Sequence, residues 1–233
     1  MFPVADLYWA GHLNCPEESL FSQPLHIVTH GEELQGYCGA LALFREGIST
    51  VSVPPDRHEE LRGLLEGLDR GCTPEQFAAA LTPVATRVIG PAYIGYTTAI
   101  RAADALARSL NDEDAAAVES LRQACGEEEW DHGGSALDVP CSGIFCDGQL
   151  AVLAGYETWG GTIAHLCIVT HPAFRGRGFG KSAVAHLARR ALAAGLLPQY
   201  RTLDANAPSI RIAESLGFQR YATSMAVRLA WSE

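Results

Sequence analysis

Residues 175–182 read Arg-Gly-Arg-Gly-Phe-Gly-Lys-Ser, with three glycines and three cations in the seven positions from Arg175 to Lys181. Glycine lets a backbone approach a ligand closely, and N–H groups in the first turn of a helix have no intrahelical partner. A loop of this composition that leads into a helix is suited to hold an anion, phosphate above all. A plain surface turn is the simpler alternative, but it needs neither three glycines nor three cations. Two familiar phosphate loops do not fit. In a Walker loop Gly180, Lys181 and Ser182 would be correct, but Arg175 stands where the first glycine belongs and only 52 residues follow Lys181. The stretch Arg201-Thr202-Leu203-Asp204 is also too polar for the apolar strand that ends in a magnesium-binding Asp. Gly176, Gly178 and Gly180 are spaced G-x-G-x-G, where a dinucleotide site needs G-x-G-x-x-G.

The elements around the loop decide where its amides point. TIAHLCIVT (162–170) reads as a strand running into the loop, and SAVAHLARRALAA (182–194) as a helix that buries Val184, Leu187, Ala188, Ala191 and Leu192 and stops at Gly195. Upstream, SGIFC and QLAVLAGYETW flank Asp147-Gly148, a pair suited to a tight hairpin turn. Helical periodicity runs through IRAADALARSL (100–110) and, after the cap signal Asn111-Asp112, through EDAAAVESLRQAC (113–125). Downstream come the strand YRTLDA (200–205), a short helix over Ser209–Leu216 ended by Gly217, and a closing strand RYATSMAVRLA (220–230). The first part differs: LHIVTH, GALALF and GISTVSV between Leu25 and Val53 read as strands, followed by helices over 57–70 and from Thr73, the N-cap, with Pro74 at the first helical position. Extended structure resumes at VIGPAYIGY (88–96), and a boundary is expected there, giving residues 1–95 as an N-terminal α/β region and 96–233 as a second domain.

The chain has 233 residues, 48% hydrophobic and 19% charged, enough for a sizeable core. No apolar run is long enough to span a bilayer, and MFPVADLYWAGH lacks the pattern of a signal peptide, so a cytoplasmic protein with no membrane partner is expected. Seven cysteines without a C-x-x-C pair read as reduced core thiols. The pair His26 and His30 has a spacing that could hold a metal, but in a strand the reading as sheet surface is preferred and no metal is expected. A formal charge of −10 argues against nucleic acid and suits a small cationic partner.

Arg175 to Gly180 resembles the R/Q-x-x-G-x-G/A signature of the GCN5-related N-acetyltransferases (GNAT), preceded as in that family by a strand and Pro172. Asn206-Ala207-Pro208-Ser209 and Leu216-Gly217-Phe218 are similar to the family's N-x-x-S/A segment and closing L-G-F. The resemblance covers roughly residues 97 to 230. It implies an α+β fold, a mixed and mostly antiparallel sheet flanked by helices, in which the strand ending at Thr170 and YRTLDA splay apart to admit acetyl-CoA. It implies that the pyrophosphate rests on the amides of Arg177, Gly178, Phe179, Gly180 and Lys181, with Arg175 and Lys181 neutralising oxygens and Gly176 and Ser182 completing the cofactor-binding loop. Backbone groups of Ile168, Val169 and Thr170 pair with the pantetheine arm in this reading, and Asn206 and Ser209 contact the cofactor. Asn206 is equally suited to cap the helix after it.

The implied reaction is direct attack of a neutral amine on the thioester, so no enzyme nucleophile is needed and Cys167 reads as a core thiol. An amide near Val169 is expected to stabilise the oxyanion. The sequence departs from the family in two places: Ala213 stands where many members have a Tyr acid, and Ala164 where many have a Glu base. His165 and Glu157 are the candidate bases; if it is His165, kcat/KM should rise through a pKa near about 6.5. The run GEEEWD (126–131) either draws in a cationic amine or forms a solvated face, and the second is preferred. The acceptor is expected to be a small-molecule amine, with amino acid, polyamine, antibiotic and protein terminus all open. A non-catalytic acyl-CoA-binding module and a nucleotide-binding protein are the alternatives.

Overall fold

Capping residues and positive-φ turns set several element ends. The structure is a computed structural model that describes residues 2–230 apart from 69, 102, 104 and 105. In chain order it contains α1 (Pro3–Leu13), β1 (Leu25–Thr29), β2 (Gly39–Arg45), β3 (Ile48–Val53), α2 (His58–Leu64), α3 (Pro74–Ala80), β4 (Ala85–Tyr96) and β5 (Arg108–Ser109). It continues with α4 (Ala115–Cys125), α5 (Glu127–Gly133), β6 (Cys141–Cys146), β7 (Gln149–Trp159), β8 (Ile163–Thr170), α6 (Phe179–Ala193), β9 (Leu197–Leu203), α7 (Ala207–Leu216) and β10 (Gln219–Leu229). Thr73 and Gln76 form the reciprocal capping box that starts α3. The Asn111 side chain accepts from Glu113 N and so starts the turn before α4. Asp147 and Gly148 take φ of 52° and 78°, which gives the β6–β7 hairpin a turn whose twist matches its strands.

The chain divides into two compact units, one of residues 1–94, 202–206 and 220–233, the other of 95–201 and 207–219. The expected second domain of 96–233 is therefore not one stretch: β10 pairs antiparallel with β2, from Thr223↔Phe44 to Arg228↔Gly39, and so completes the first unit's sheet. In that unit the strand order is β1-β3-β2-β10-β4, with β1 and β3 parallel. Leu61 and Leu65 at α2, and Phe77 and Leu81 at α3, bury against Ala42, Phe44, Val51, Met225 and Val227. Full burial of a side chain such as Phe77 contributes about 1.5–3 kcal/mol.

In the second unit the order is β9-β8-β7-β6-β5, antiparallel except for the parallel pair β8/β9. Helix α6 buries Ala183, Val184, Leu187, Ala188 and Ala191. Val118 and Leu121 of α4 bury with Leu153 and Val169. The helix expected over 100–110 is not found in its described part, because Arg108 and Ser109 pair with Gly143 and Ser142 as an edge strand; residues 102, 104 and 105 lie outside the described residues. No described helix is long and apolar enough to cross a membrane.

Candidate active site

The β7–β8 ladder continues to Val152↔Thr170, whereas the parallel β8–β9 ladder runs from Ile163↔Leu197 only to Leu166↔Tyr200. The β9-facing edge of β8 therefore loses its strand partner after Leu166. His171 N donates to Ala151 O at 2.9 Å. Backbone groups alternate along a strand, so those of Val169 and Cys167 also turn to β7, and those of Ile168 and Thr170 turn to the open edge. This corrects one expectation: Val169 gives its amide to the sheet, leaving Ile168 and Thr170 as the residues with edge-facing groups.

The open edge leads into the glycine loop. Gly176 and Gly178 have φ of 77° and 80°, and a Cβ on either would meet nothing within 4 Å. Their role is conformational, since L side chains rarely adopt such φ. Gly178 stands at the N-cap of α6, and Ser182 N is the first amide to bond back, to Gly178 O at 3.3 Å. The amides of Phe179, Gly180 and Lys181 are thus the first-turn donors that a helix leaves for a ligand. Gly180 is needed for a different reason: a Cβ there would stand 3.2 Å from Ile168 Cδ1 and 3.6 Å from Thr170 Oγ1, so the missing side chain brings helix and strand together. Ser182 is buried.

Three cations surround the loop, but Arg175 is already engaged. Its Nη2 donates to both oxygens of Glu129, at 2.8 and 2.6 Å, and its Nε to Thr170 O at 3.2 Å. The run at 126–131, preferred as a solvated face, is thus helix α5 with one member tied to the loop. Arg177 lies with its guanidinium 5.5 Å from the Phe174 ring centre, and Lys181 is half-buried.

His165 and Glu157 are directly opposite in the β7–β8 register, so the structure brings the two candidate bases together. Glu157 is exposed, and Trp159 Nε1 donates to it at 3.4 Å. His165 stacks on Trp159 with ring centres 3.8 Å apart. Its Nδ1–H donates to Gln199 Oε1 at 2.9 Å, and Gln199 Nε2 donates in turn to Tyr96 Oη. Burial is the main reason that the imidazole is pulled down to about 4, against which the Gln199 hydrogen bond works only partly. The expected activity limb near 6.5 is thereby overturned for this histidine. Gln199, Tyr96 and Trp159 were not among the expected site residues; Gln199 is fully buried, and a glutamine in the apolar stretch LPQY was the available signal.

The shift has a measurable consequence for stability. The unfolded imidazole takes its proton near 6.5 and the folded one only near 4, so between these values the unfolded chain holds more protons. The associated stability is complete above about 6.5 and is lost as pH falls towards about 4. Melting scans from pH 7 to pH 4 should show a larger fall in Tm for the parent than for His165→Gln; equal falls would contradict the burial.

Cys167, on β8, has its thiol pushed up to about 11 by burial, with the Glu157 carboxylate adding to the effect. Ala213 is wholly buried in α7, together with Leu216 and Phe218 of the L-G-F segment. Ser209 bonds Tyr200 Oη at 2.9 Å. Asn206 belongs to the first unit, directly precedes α7, and donates its backbone N–H to Leu203 O at 2.9 Å.

The first unit has a cavity of about 540 Å³ beyond the C-terminal ends of β1 and β3, lined in part by His30, Tyr37, Cys38 and Arg57. Two of its polar side chains, those of His30 and Arg57, turn to protein partners. His30 Nε2 donates to Gly39 O at 2.9 Å and its Nδ1 pairs with Ser52 Oγ at 2.8 Å. Arg57 binds both Glu60 oxygens and Ala230 O. The two candidate bases and the glycine loop lie instead in the second unit.

Comparison with known proteins points the same way. Residues 104–218 match the profile of the acetyltransferase (GNAT) family. A solved structure from Novosphingobium aromaticivorans, described as an acetyltransferase from the GNAT family, is 25% identical with a TM-score of 0.51, over 64% of this chain and 67% of that one. A GNAT-family acetyltransferase from Colwellia psychrerythraea is 15% identical with a TM-score of 0.52, and the match spans 66% of this chain and 62% of that one. A GCN5-related N-acetyltransferase-like protein from Streptococcus suis is 16% identical with a TM-score of 0.50, over 86% and 87% of the two chains. The last two show likeness of fold. No curated protein matches the sequence significantly.

Proposed function

Residues 104–218 of this chain belong to the acetyltransferase (GNAT) family, and from that premise we propose that the protein transfers an acetyl group from acetyl-CoA to the amine of a small-molecule acceptor by direct attack. The observation that carries the reading is the end of the β8–β9 ladder at Leu166↔Tyr200 beside the first turn of α6. It supplies an open strand edge for the amides of pantetheine and, next to it, helix amides and cations for the pyrophosphate. In this reading Gly176 to Lys181 cradle phosphate, Ile168 and Thr170 pair with pantetheine, and Ser209 serves as a further cofactor contact.

The nitrogen lone pair of the acceptor forms the new C–N bond, the C–S bond breaks, and the ammonium proton must leave. Glu157 takes that proton. Burial disfavours the charged imidazolium that His165 would become on taking a proton, and its Nδ1 is committed to Gln199. Glu157 is exposed and carries the negative charge that favours an ammonium beside it. In this scheme His165 and Trp159, stacked on each other, line the acceptor site. The Ile168 N–H, on the open edge, stabilises the oxyanion in the same scheme. The leaving thiolate, with an ordinary pKa of about 8.5, takes its proton from water.

Cys167 has no covalent role in this scheme, since a thiol at about 11 is almost entirely protonated at neutral pH. Cys167→Ala should keep turnover within about threefold of the parent and lower stability by about 1 kcal/mol. An acetyl group trapped on Cys167 at a rate that matches turnover would overturn direct attack. The overall reading is tested by incubating the protein with acetyl-CoA and an amine panel while following free thiol; amine-dependent release is expected.

A further inference from the structure

Helix α5 buries none of its residues. It lies between Gly126, at φ 81°, and Gly134. Trp130 rests against the α4 cluster, and the other contacts at its two ends fall on groups that the acetyl-CoA site uses. Glu129 takes two hydrogen bonds from Arg175, at 2.8 and 2.6 Å. Just before the helix, the Cys125 thiol points to Thr170 O at 3.9 Å. At its last residue Gly133 lies so close to β8 that a Cβ would stand 2.5 Å from the Ile168 carbonyl oxygen. Arg175 is the cation beside the phosphate loop, and Ile168 and Thr170 are the two residues whose backbone groups face the open edge.

We infer that α5 is a built-in competitor for acetyl-CoA, with Glu129 setting the cofactor's affinity. This rests on the acetyl-CoA reading of the loop. A carboxylate and a pyrophosphate cannot both hold Arg175 closely without repelling each other. A pantetheine amide cannot reach the Ile168 carbonyl while Gly133 covers it. Cofactor entry therefore exchanges Glu129 for phosphate and Gly133 for an amide N–H, and α5 lifts from the edge. The exchange is easy because both partners of the ion pair are 40–50% exposed, at 49% for Arg175 and 42% for Glu129. Pairs of this kind are weakly held, and removing one shifts a competing equilibrium by only about two- to fivefold.

The experiment titrates CoA into the parent, Glu129→Gln, Arg175→Gln and the double variant by calorimetry, and follows hydrogen exchange at 127–133. Glu129→Gln should bind CoA about two- to fivefold more tightly, and this gain should vanish when Arg175 is also Gln. Gly133→Ala, which pushes α5 off Ile168 through a different contact, should also tighten binding. In the parent, CoA should speed exchange at 127–133. Parent-like or weaker CoA binding by Glu129→Gln, or slower exchange at 127–133 with CoA, would overturn the competitor alone. Absence of CoA binding in the parent and every variant would overturn the acetyl-CoA reading and the competitor with it.

Discussion

Gly178→Asp should bind CoA about 100-fold more weakly than the parent, with the fold intact. The position tests the phosphate site because its φ of 80° at the N-cap of α6 aims the amides of the following turn. A Cβ there meets nothing within 4 Å, so the first atom of a side chain has room. Aspartate tolerates the left-handed region better than most residues, which limits backbone strain. What it introduces is a carboxylate where a phosphate must approach. Loss of one hydrogen bond to a charged group amounts to about 1.5–3 kcal/mol, and like-charge repulsion adds to it. Calorimetry with CoA, controlled by a melting scan, checks this. Parent-like affinity in a folded variant would remove the loop from the site.

Glu157→Gln should lower kcat/KM by on the order of 10² to 10⁴ at neutral pH, the range for loss of a general base. His165→Gln should lose less than about tenfold, since an imidazole held at about 4 and tied through Nδ1 to Gln199 acts by packing against Trp159. Activity should then follow the acceptor amine's own deprotonation, with no limb near 6.5. CoA affinity and Tm should be preserved in both variants, which separates loss of chemistry from loss of fold. A crippled His165→Gln beside a nearly active Glu157→Gln would exchange the two roles.

Much of this site was legible because its signals are local. The loop from Arg175 to Ser182, the strand before it and the Asp147-Gly148 hairpin all depend on neighbouring residues alone. What escaped depends on distant ones. The strand pattern of 220–230 predicts β10 but not its pairing with β2, some 180 residues away. Alanine-rich 100–110 has strong helix propensity, yet at Arg108 and Ser109 pairing with β6 overrides it. Helix α1 was missed because Val4 and Leu7, apolar but exposed, blur the stripe formed by Ala5, Trp9 and Leu13. In α5 three glutamates favour a helix start through the dipole, but nothing near them in sequence announces Arg175 as the partner of Glu129. The basicity of His165 was equally hidden, since it is set by burial and by Gln199, 34 residues further on.

The central claim is that acetyl passes from acetyl-CoA to an amine at the open edge of β8. Its most direct test is mass spectrometry of an amine library incubated with the purified protein and acetyl-CoA labelled in the acetyl group. One or more amines should gain the labelled acetyl group in amounts equal to the CoA released, and Gly178→Asp should lower both together. CoA binding without transfer to any amine would instead identify a non-catalytic acyl-CoA-binding module, and a thermal shift with ATP and magnesium but none with CoA would identify a nucleotide-binding protein.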